Sequence, residues 1–266
     1  MTRRFAKDNE IFYEKEDIVN IIAQRAFLLK PEQTVLNDLR NQLPNMKMLD
    51  IGIGGGRTTA YFSPLTKEYV GIDYSPEMIR VCQRKFKEYP GKISFAHVDA
   101  RNMKLFTDDE FDFVFFSYNG LDCVDHADRI KILHEINRVT KNHGYFFFSS
   151  HNLNVLQGLT SISLSRDPSK NISEINRLLF LRLINMDAWN TIRRKPKGVQ
   201  HVMFNDGVYE FAMKIYFVNP EAQLEDLKAL GFKVIKVYGM NSDHETRDPK
   251  NSNDYWLHYF CEVQKT

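Results

Sequence analysis

At 266 residues, the chain is long enough for one α/β domain with an insertion and a large core of its own. With 43% hydrophobic and 26% charged residues it lacks the signature of disorder, and a formal charge of +2 is too small for a protein whose main partner is nucleic acid. Cys82, Cys123 and Cys261 are odd in number and widely spaced, the N-terminus is too polar for a signal peptide, and no run reaches the roughly 18 apolar residues of a membrane span; a cytoplasmic protein with reduced thiols is expected.

In chain order, residues 1–45 read as a helical cap, with an apolar run at Ile18, Ile21, Ile22, Phe27 and Leu28. A second helix begins at Pro31-Glu32 and carries Val35, Leu36 and Leu39. Residues 46–151 alternate short apolar runs with amphipathic stretches, the grammar of βα units and a parallel sheet. Strands are predicted over 47–51, 69–72, 93–97, 111–117 and 145–150. Ser75-Pro76 opens a helix bearing Met78, Ile79, Cys82 and Phe86. Another is expected from about Asp128 to Lys141, with Gly144 as its stop. Residues 152–218 break the repeat. They hold a helix around Ile172 to Met186 and two β-rich runs joined by Asn205-Asp206-Gly207, a hairpin signal, and are read as an inserted lid. Residues 219–266 return to the repeat, with a helix after Asn219-Pro220 and two strands. The expected fold is α/β: a seven-stranded, Rossmann-like, mostly parallel sheet with helices on both faces.

The strongest signal is MLDIGIGGGRTT, Met48 to Thr59, where an apolar strand ends in glycines at 52, 54, 55 and 56. Glycines let a ligand approach main-chain N–H groups that a Cβ would shield. Alone, such a turn also suits a dinucleotide, a phosphate, or no ligand at all. Context narrows it. The second strand ends in GIDYS, placing Asp73 where a carboxylate can accept from ribose hydroxyls. Asp50 inside the loop would repel a pyrophosphate but suits the ammonium of an amino-acid moiety. The third strand ends in VDA with Asp99, and the fourth in FFSYNGLD.

With these residues, the chain resembles the class I S-adenosylmethionine-dependent methyltransferases, well over about Met46 to Ser150 and loosely over the C-terminal strands. The resemblance implies S-adenosylmethionine as cofactor. It implies that Asp50, Gly52, Gly54 and Gly56 shape the methionine end, that Asp73 holds the ribose, and that Asp99 with Ala100 reads the adenine. Ser117 and Tyr118 match the segment under the cofactor. Tyr74 and Met78 can pack on the adenine face, although Met78 equally suits plain core packing. Arg57 departs from the small or polar residue usual there, and either touches an acidic ligand or faces solvent.

The acceptor is expected outside the carboxyl ends of the strands, a rule that selects Tyr118, Asn119, His126, His151 and Asn152. His151 follows the fifth strand and ranks first as general base, with His126 second and Tyr118 or Tyr13 shaping the site. The other six histidines are expected to be structural or exposed. Asp122, Asp125 and His126 are a weak metal trio, and no metal is expected. The basic run Ile192–Gly198 is either a solvated turn or an attractor for a phosphate or sugar acid. The function expected is methyl transfer to an oxygen or nitrogen of a small-molecule or sugar-type acceptor, acidic or phosphorylated acceptors included. Competing readings are a short-chain NAD oxidoreductase, which would need a Tyr-x-x-x-Lys pair absent from residues 110–190, and a non-catalytic binding module, which would show an eroded glycine loop. No Asn-Pro-Pro-aromatic motif of base methylation follows strand four.

Overall fold

The computed structural model describes residues 9, 11, 12, 14–89, 91–156, 168–194, 198–207 and 211–265. Its N-terminal helices are α1 (Glu16–Ala23) and α2 (Lys30–Leu39). Then come β1 (Lys47–Ile51), a short α3 (Thr59–Phe62), β2 (Glu68–Asp73), α4 (Pro76–Lys85), β3 (Ile93–His97), β4 (Phe111–Phe116), α5 (His126–Val139) and β5 (Thr140–Asn152). The remainder is α6 (Pro168–Ile184), α7 (Met186–Arg194), β6 (His201–Phe204), β7 (Ile215–Val218), α8 (Pro220–Ala229), β8 (Phe232–Gly239) and β9 (Trp256–Val263).

Helix starts follow their caps. Ser75 Oγ accepts from Met78 N at 3.4 Å, Asp125 Oδ1 from Asp128 N at 3.0 Å, and Asn219 Oδ1 from Glu221 N at 2.9 Å, each relieving an N–H that the first turn leaves unpaired. One stop differs from expectation. Helix α5 ends at Val139 with no glycine, because Thr140 turns extended (φ −83°, ψ 137°) and begins β5 directly. Gly144 lies inside that strand, in a spot where a Cβ would meet Thr140, the Lys141 carbonyl and the Asp112 carbonyl.

The strands make one sheet of nine, two more than the sequence implied. Its path runs β3-β2-β1-β4-β5 in parallel, and β9 then β8 continue it antiparallel. The additional pair is the β6–β7 hairpin. Because β9 occupies one edge of β5 at His151, β7 pairs with His151 and Asn152 on the other edge, beyond the end of β4. The long β5 therefore carries three neighbours.

Successive side chains of a strand point to opposite faces, so the two cores follow from alternation. On one face Phe146, Phe148, Leu257, Tyr259 and Cys261 pack with Ile132, Leu133 and Ile136 of α5 and Leu227 of α8. On the other, Phe113, Phe115, Phe147 and Phe260 pack beneath Val35, Leu36 and Leu39 of α2. Each such fully buried side chain stabilises by roughly 1.5–3 kcal/mol. The chain order reverses between β1 and β4, the place in such sheets where a crevice opens beyond the carboxyl ends. Among the described residues no helix is long and apolar enough to cross a membrane.

Candidate functional site

A cavity opens at that reversal point. Its walls include Asp50, Gly52, Gly54, Arg57 and Thr58 from the glycine loop, Asp73, Tyr74 and Met78 after β2, and Asp99 and Ala100 after β3. Ser117, Tyr118 and Cys123 come from the segment after β4, and Ile22 and Arg25 from α1 and its exit.

The loop turns because its glycines take φ values closed to most residues: +64° at Gly52, +51° at Gly54 and +75° at Gly56. They do different things. A Cβ on Gly52 would press on Phe116, one on Gly55 would strike the backbone of Ala23, and one on Gly56 would enter the ring of Phe86. Gly56 thus admits α4 packing and does not line the cavity, whereas Gly52 and Gly54 do. Lys85 Nζ donates to the carbonyls of Ala23 and Gly55, both at 3.0 Å, tying α1 to the loop. The Cys82 thiol supports the same loop by donating to Gly54 O.

Asp73 accepts from Gly54 N through Oδ2 and from Ser75 N through Oδ1, each at 2.9 Å, which fixes the carboxylate and leaves lone pairs on both oxygens. Burial lifts its pKa, and the two N–H groups oppose the lift. Asp50 is buried more sparingly served: Thr58 Oγ1 at 2.6 Å and Tyr69 OH at 2.5 Å both donate to Oδ2. Burial pushes it up to about 6, so a cation delivered to this carboxylate would be welcome. Asp99 is gripped by the Arg101 side chain and backbone N–H, and Arg101 also reaches Asp128. These residues fit S-adenosylmethionine: a carboxylate for the ribose, one for the ammonium, one beside Ala100 for the adenine, and a loop without Cβ atoms where the ligand would meet it.

Arg57 does not face solvent. It is buried and donates to both oxygens of the fully buried Glu32, at 2.6 and 2.5 Å, and to Phe27 O at 2.8 Å. Burial pulls its pKa down, but the hydrogen bonds and charge of Glu32, together with the charge of Asp50, outweigh that and hold the guanidinium above its ordinary value. Ser117 Oγ also donates to Glu32, and so does Leu29 N, at 2.7 Å. The Arg57 guanidinium lies 4.8 Å from the Tyr118 ring, and Arg25 lies 5.3 Å from it. Sequence reasoning missed Glu32. Its Pro-Glu start was legible as a helix opening, and the unusual arginine after the glycines was the other half of the pair.

The acceptor-side residues separate. Tyr118, at φ +58°, lines the cavity, while His151 and His126 do not. His151 is buried near the end of β5; its backbone N–H and Nδ1 both meet Asp122 Oδ2 at 2.7 Å. Asp122 in turn pairs with the buried Arg129 at 2.5 Å. A carboxylate only accepts, so Nδ1 carries the proton, and Nε2 has no partner among the described residues. Phe217, Tyr255 and Trp256 surround the imidazole, with ring centroids 5.0, 5.4 and 5.7 Å away. His126 instead opens α5, bonds Tyr216 OH through Nδ1 at 2.7 Å and stacks on His201 at 4.0 Å. Asp122, Asp125 and His126 therefore serve three different partners. Asn152 is spent on the carbonyls of Ser252 and Asp254. Tyr13 and residues 195–197 of the basic run lie outside the described residues.

Residues 48–144 match the methyltransferase domain family. A stretch of 108 residues is 33% identical to the uncharacterized methyltransferase YcgJ of Bacillus subtilis (strain 168), covering 40% of either protein. Another of 101 residues is 38% identical to demethylmenaquinone methyltransferase of Staphylococcus saprophyticus, covering 37% of this chain and 41% of that one. The match thus spans about two fifths of the length of these curated relatives. Across almost the whole chain the fold is similar to that of an S-adenosylmethionine-dependent methyltransferase from Clostridium acetobutylicum ATCC 824, with a TM-score of 0.59, 14% identity, and coverage of 97% of this chain and 99% of the other.

Proposed function

We propose, from the match of residues 48–144 to the methyltransferase domain family, that the chain methylates an oxygen or nitrogen of a small molecule or saccharide. The observation that carries the reading is Asp73, fixed by two backbone N–H groups at the end of β2 and facing the cavity beside Gly54. The name of one similar protein, demethylmenaquinone methyltransferase, favours a small acceptor.

Bound S-adenosylmethionine supplies a methyl group on a sulfonium, an electrophile already strong enough that positioning does much of the work. In this reading Asp73 would accept from the ribose hydroxyls, Asp50 would meet the ammonium, and Asp99 would accept from the adenine amino group. Asp122 holds His151 in the tautomer whose Nε2 is basic. For a hydroxyl acceptor, His151 would take the hydroxyl proton at Nε2 while the cofactor supplied the methyl group. Tyr118, between the cavity and Trp256, shapes the space where the two meet.

Calorimetry against S-adenosylhomocysteine and NAD tests the cofactor; tight binding of NAD alone would overturn the reading. His151→Ala is expected to lower turnover by roughly 10² to 10⁴ with cofactor affinity unchanged. Turnover within a few-fold of the parent would move the base elsewhere, His126 being the next residue to replace.

A further inference from the structure

Among the described residues, three arginines line the cofactor cavity, and two of them are already committed. Arg57 donates to both oxygens of Glu32, and Arg101 is held by Asp99 and Asp128. The third, half-buried Arg25, has no carboxylate partner and no side-chain hydrogen bond among the described residues. Its guanidinium lies over the ring of Tyr118, 5.3 Å from the centroid, a contact that leaves its five N–H donors without an acceptor.

The end of α1 fixes this arginine. Beyond Ala23 the chain turns back, with Arg25 N donating to Ile22 O at 3.2 Å. Lys85 Nζ ties the Ala23 carbonyl to that of Gly55, and Ile22 packs so near Gly54 that a Cβ there would stand 3.0 Å from it. From the other side Tyr118 arrives with a left-handed φ of +58°, a conformation that costs a non-glycine residue on the order of 1–3 kcal/mol and that collects at ligand sites. The cavity thus holds two opposite charges that do not neutralise each other. Asp50 has Thr58 and Tyr69 as partners, and burial lifts its pKa, so it is a carboxylate short of a cation. Arg25 is a cation short of a carboxylate. An α-amino-acid group carries both complements on one carbon, and its carboxylate would be costly to bury here without a positive partner.

We propose that Arg25 binds the carboxylate of the methionine moiety of S-adenosylmethionine, while Asp50 takes its ammonium. The planar guanidinium suits a carboxylate through paired N–H donors, and the contact with an acidic ligand that the sequence offered to Arg57 falls to Arg25 instead. This rests on the cofactor reading above and adds the residue that tells an amino-acid ligand from a plain adenosine thioether.

The test is calorimetry with S-adenosylhomocysteine and with S-adenosyl-3-thiopropylamine, which keeps the adenosine, the sulfur and the amine and lacks only the carboxylate. The parent protein should bind S-adenosylhomocysteine at least about tenfold more tightly than the amine. Arg25→Gln should weaken S-adenosylhomocysteine at least about tenfold and leave the amine within about twofold, which also reports that the variant is folded. Arg25→Lys keeps the charge without the fork and should fall between. Asp50→Asn should weaken both ligands, because both carry the amine. No preference in the parent, or unchanged S-adenosylhomocysteine affinity in Arg25→Gln, would overturn the proposal and leave Arg25 to an acidic acceptor. Equal loss of both ligands in Arg25→Gln would overturn it too, since Arg25 would then act by holding Tyr118 or α1 in place. Failure of the parent to bind S-adenosylhomocysteine at all would instead overturn the cofactor reading beneath it.

Discussion

The glycine-loop wall of the cavity and the polar network behind the segment after β4 are built by different means. The first is made of backbone and of carboxylates at strand ends: Gly52 and Gly54 expose main chain, Asp73 is held by the N–H groups of Gly54 and Ser75, and Asp99 by its neighbour but one, Arg101. The network behind the segment after β4 is made of side chains drawn from distant parts of the chain, Glu32 against Arg57, Asp122 against His151, and Asn119 N–H against Ser149. Local construction tolerates change around it. Distant construction depends on every partner being present.

That contrast can be broken where it is strongest. Glu32→Ala leaves the Arg57 guanidinium buried without its carboxylate, and urea denaturation should show a loss of roughly 3–5 kcal/mol. Replacing Arg57 with Leu in the same chain should restore much of it, because the uncompensated charge is then gone. A loss below about 1 kcal/mol would mean that α2 is not welded to the loop through this pair. On the cofactor side the expected effect is on binding instead of folding. Asp73→Ala should weaken S-adenosylhomocysteine by about 1.5–3 kcal/mol, read by calorimetry, with the denaturation midpoint nearly unmoved.

Asp50 gives the smallest effect and the sharpest one. Burial raises it from the ordinary 3.8 to about 6, so the folded state resists its ionisation. Stability is fully present below the unfolded value and declines as pH rises through about 6. Asp50→Asn should therefore be more stable than the parent at pH 8, by about 1–2 kcal/mol, with the gain fading below pH 4. The same variant should bind S-adenosylhomocysteine at least about tenfold more weakly, since the ammonium loses its carboxylate. A stability difference independent of pH would mean that Asp50 is not the group being forced to ionise.

The same difference in construction decides what was legible in the sequence. Asp50, Asp73 and Asp99 each follow a short apolar run, so strand ends and candidate ligands could be read together. The βα alternation gave the parallel half of the sheet for the same reason. Glu32 was visible as a helix opening but not as the counter-charge of Arg57, a relation that spans 25 residues and depends on how α2 lies across the sheet. His258 read as an unremarkable histidine, because its burial is set by pairing with Ser149. Gly144 looked like a helix stop only because nothing in the sequence says that a chain leaving α5 at Thr140 turns straight into a strand. An antiparallel pair was recognisable, but its strands are joined by residues 205–214 and not by Asn205-Asp206-Gly207 alone, and its place on the tip of β5 was hidden, since two residues of pairing leave no trace in a hydrophobic pattern.

The three-neighboured β5 also sets an order in time. During synthesis, β1 through β4 and most of β5 are available to pair among themselves as soon as residue 148 is free, because the parallel pairings between them use no residue beyond that point. The other edge of β5, from Tyr145 to His151, must wait for β9, made more than a hundred residues later. Closing so large a loop is slow relative to the local βα steps. A nascent chain halted before β9 would thus carry the cofactor carboxylates in place while the edge that buries His151 stayed bare, an exposed strand edge open to the wrong partner.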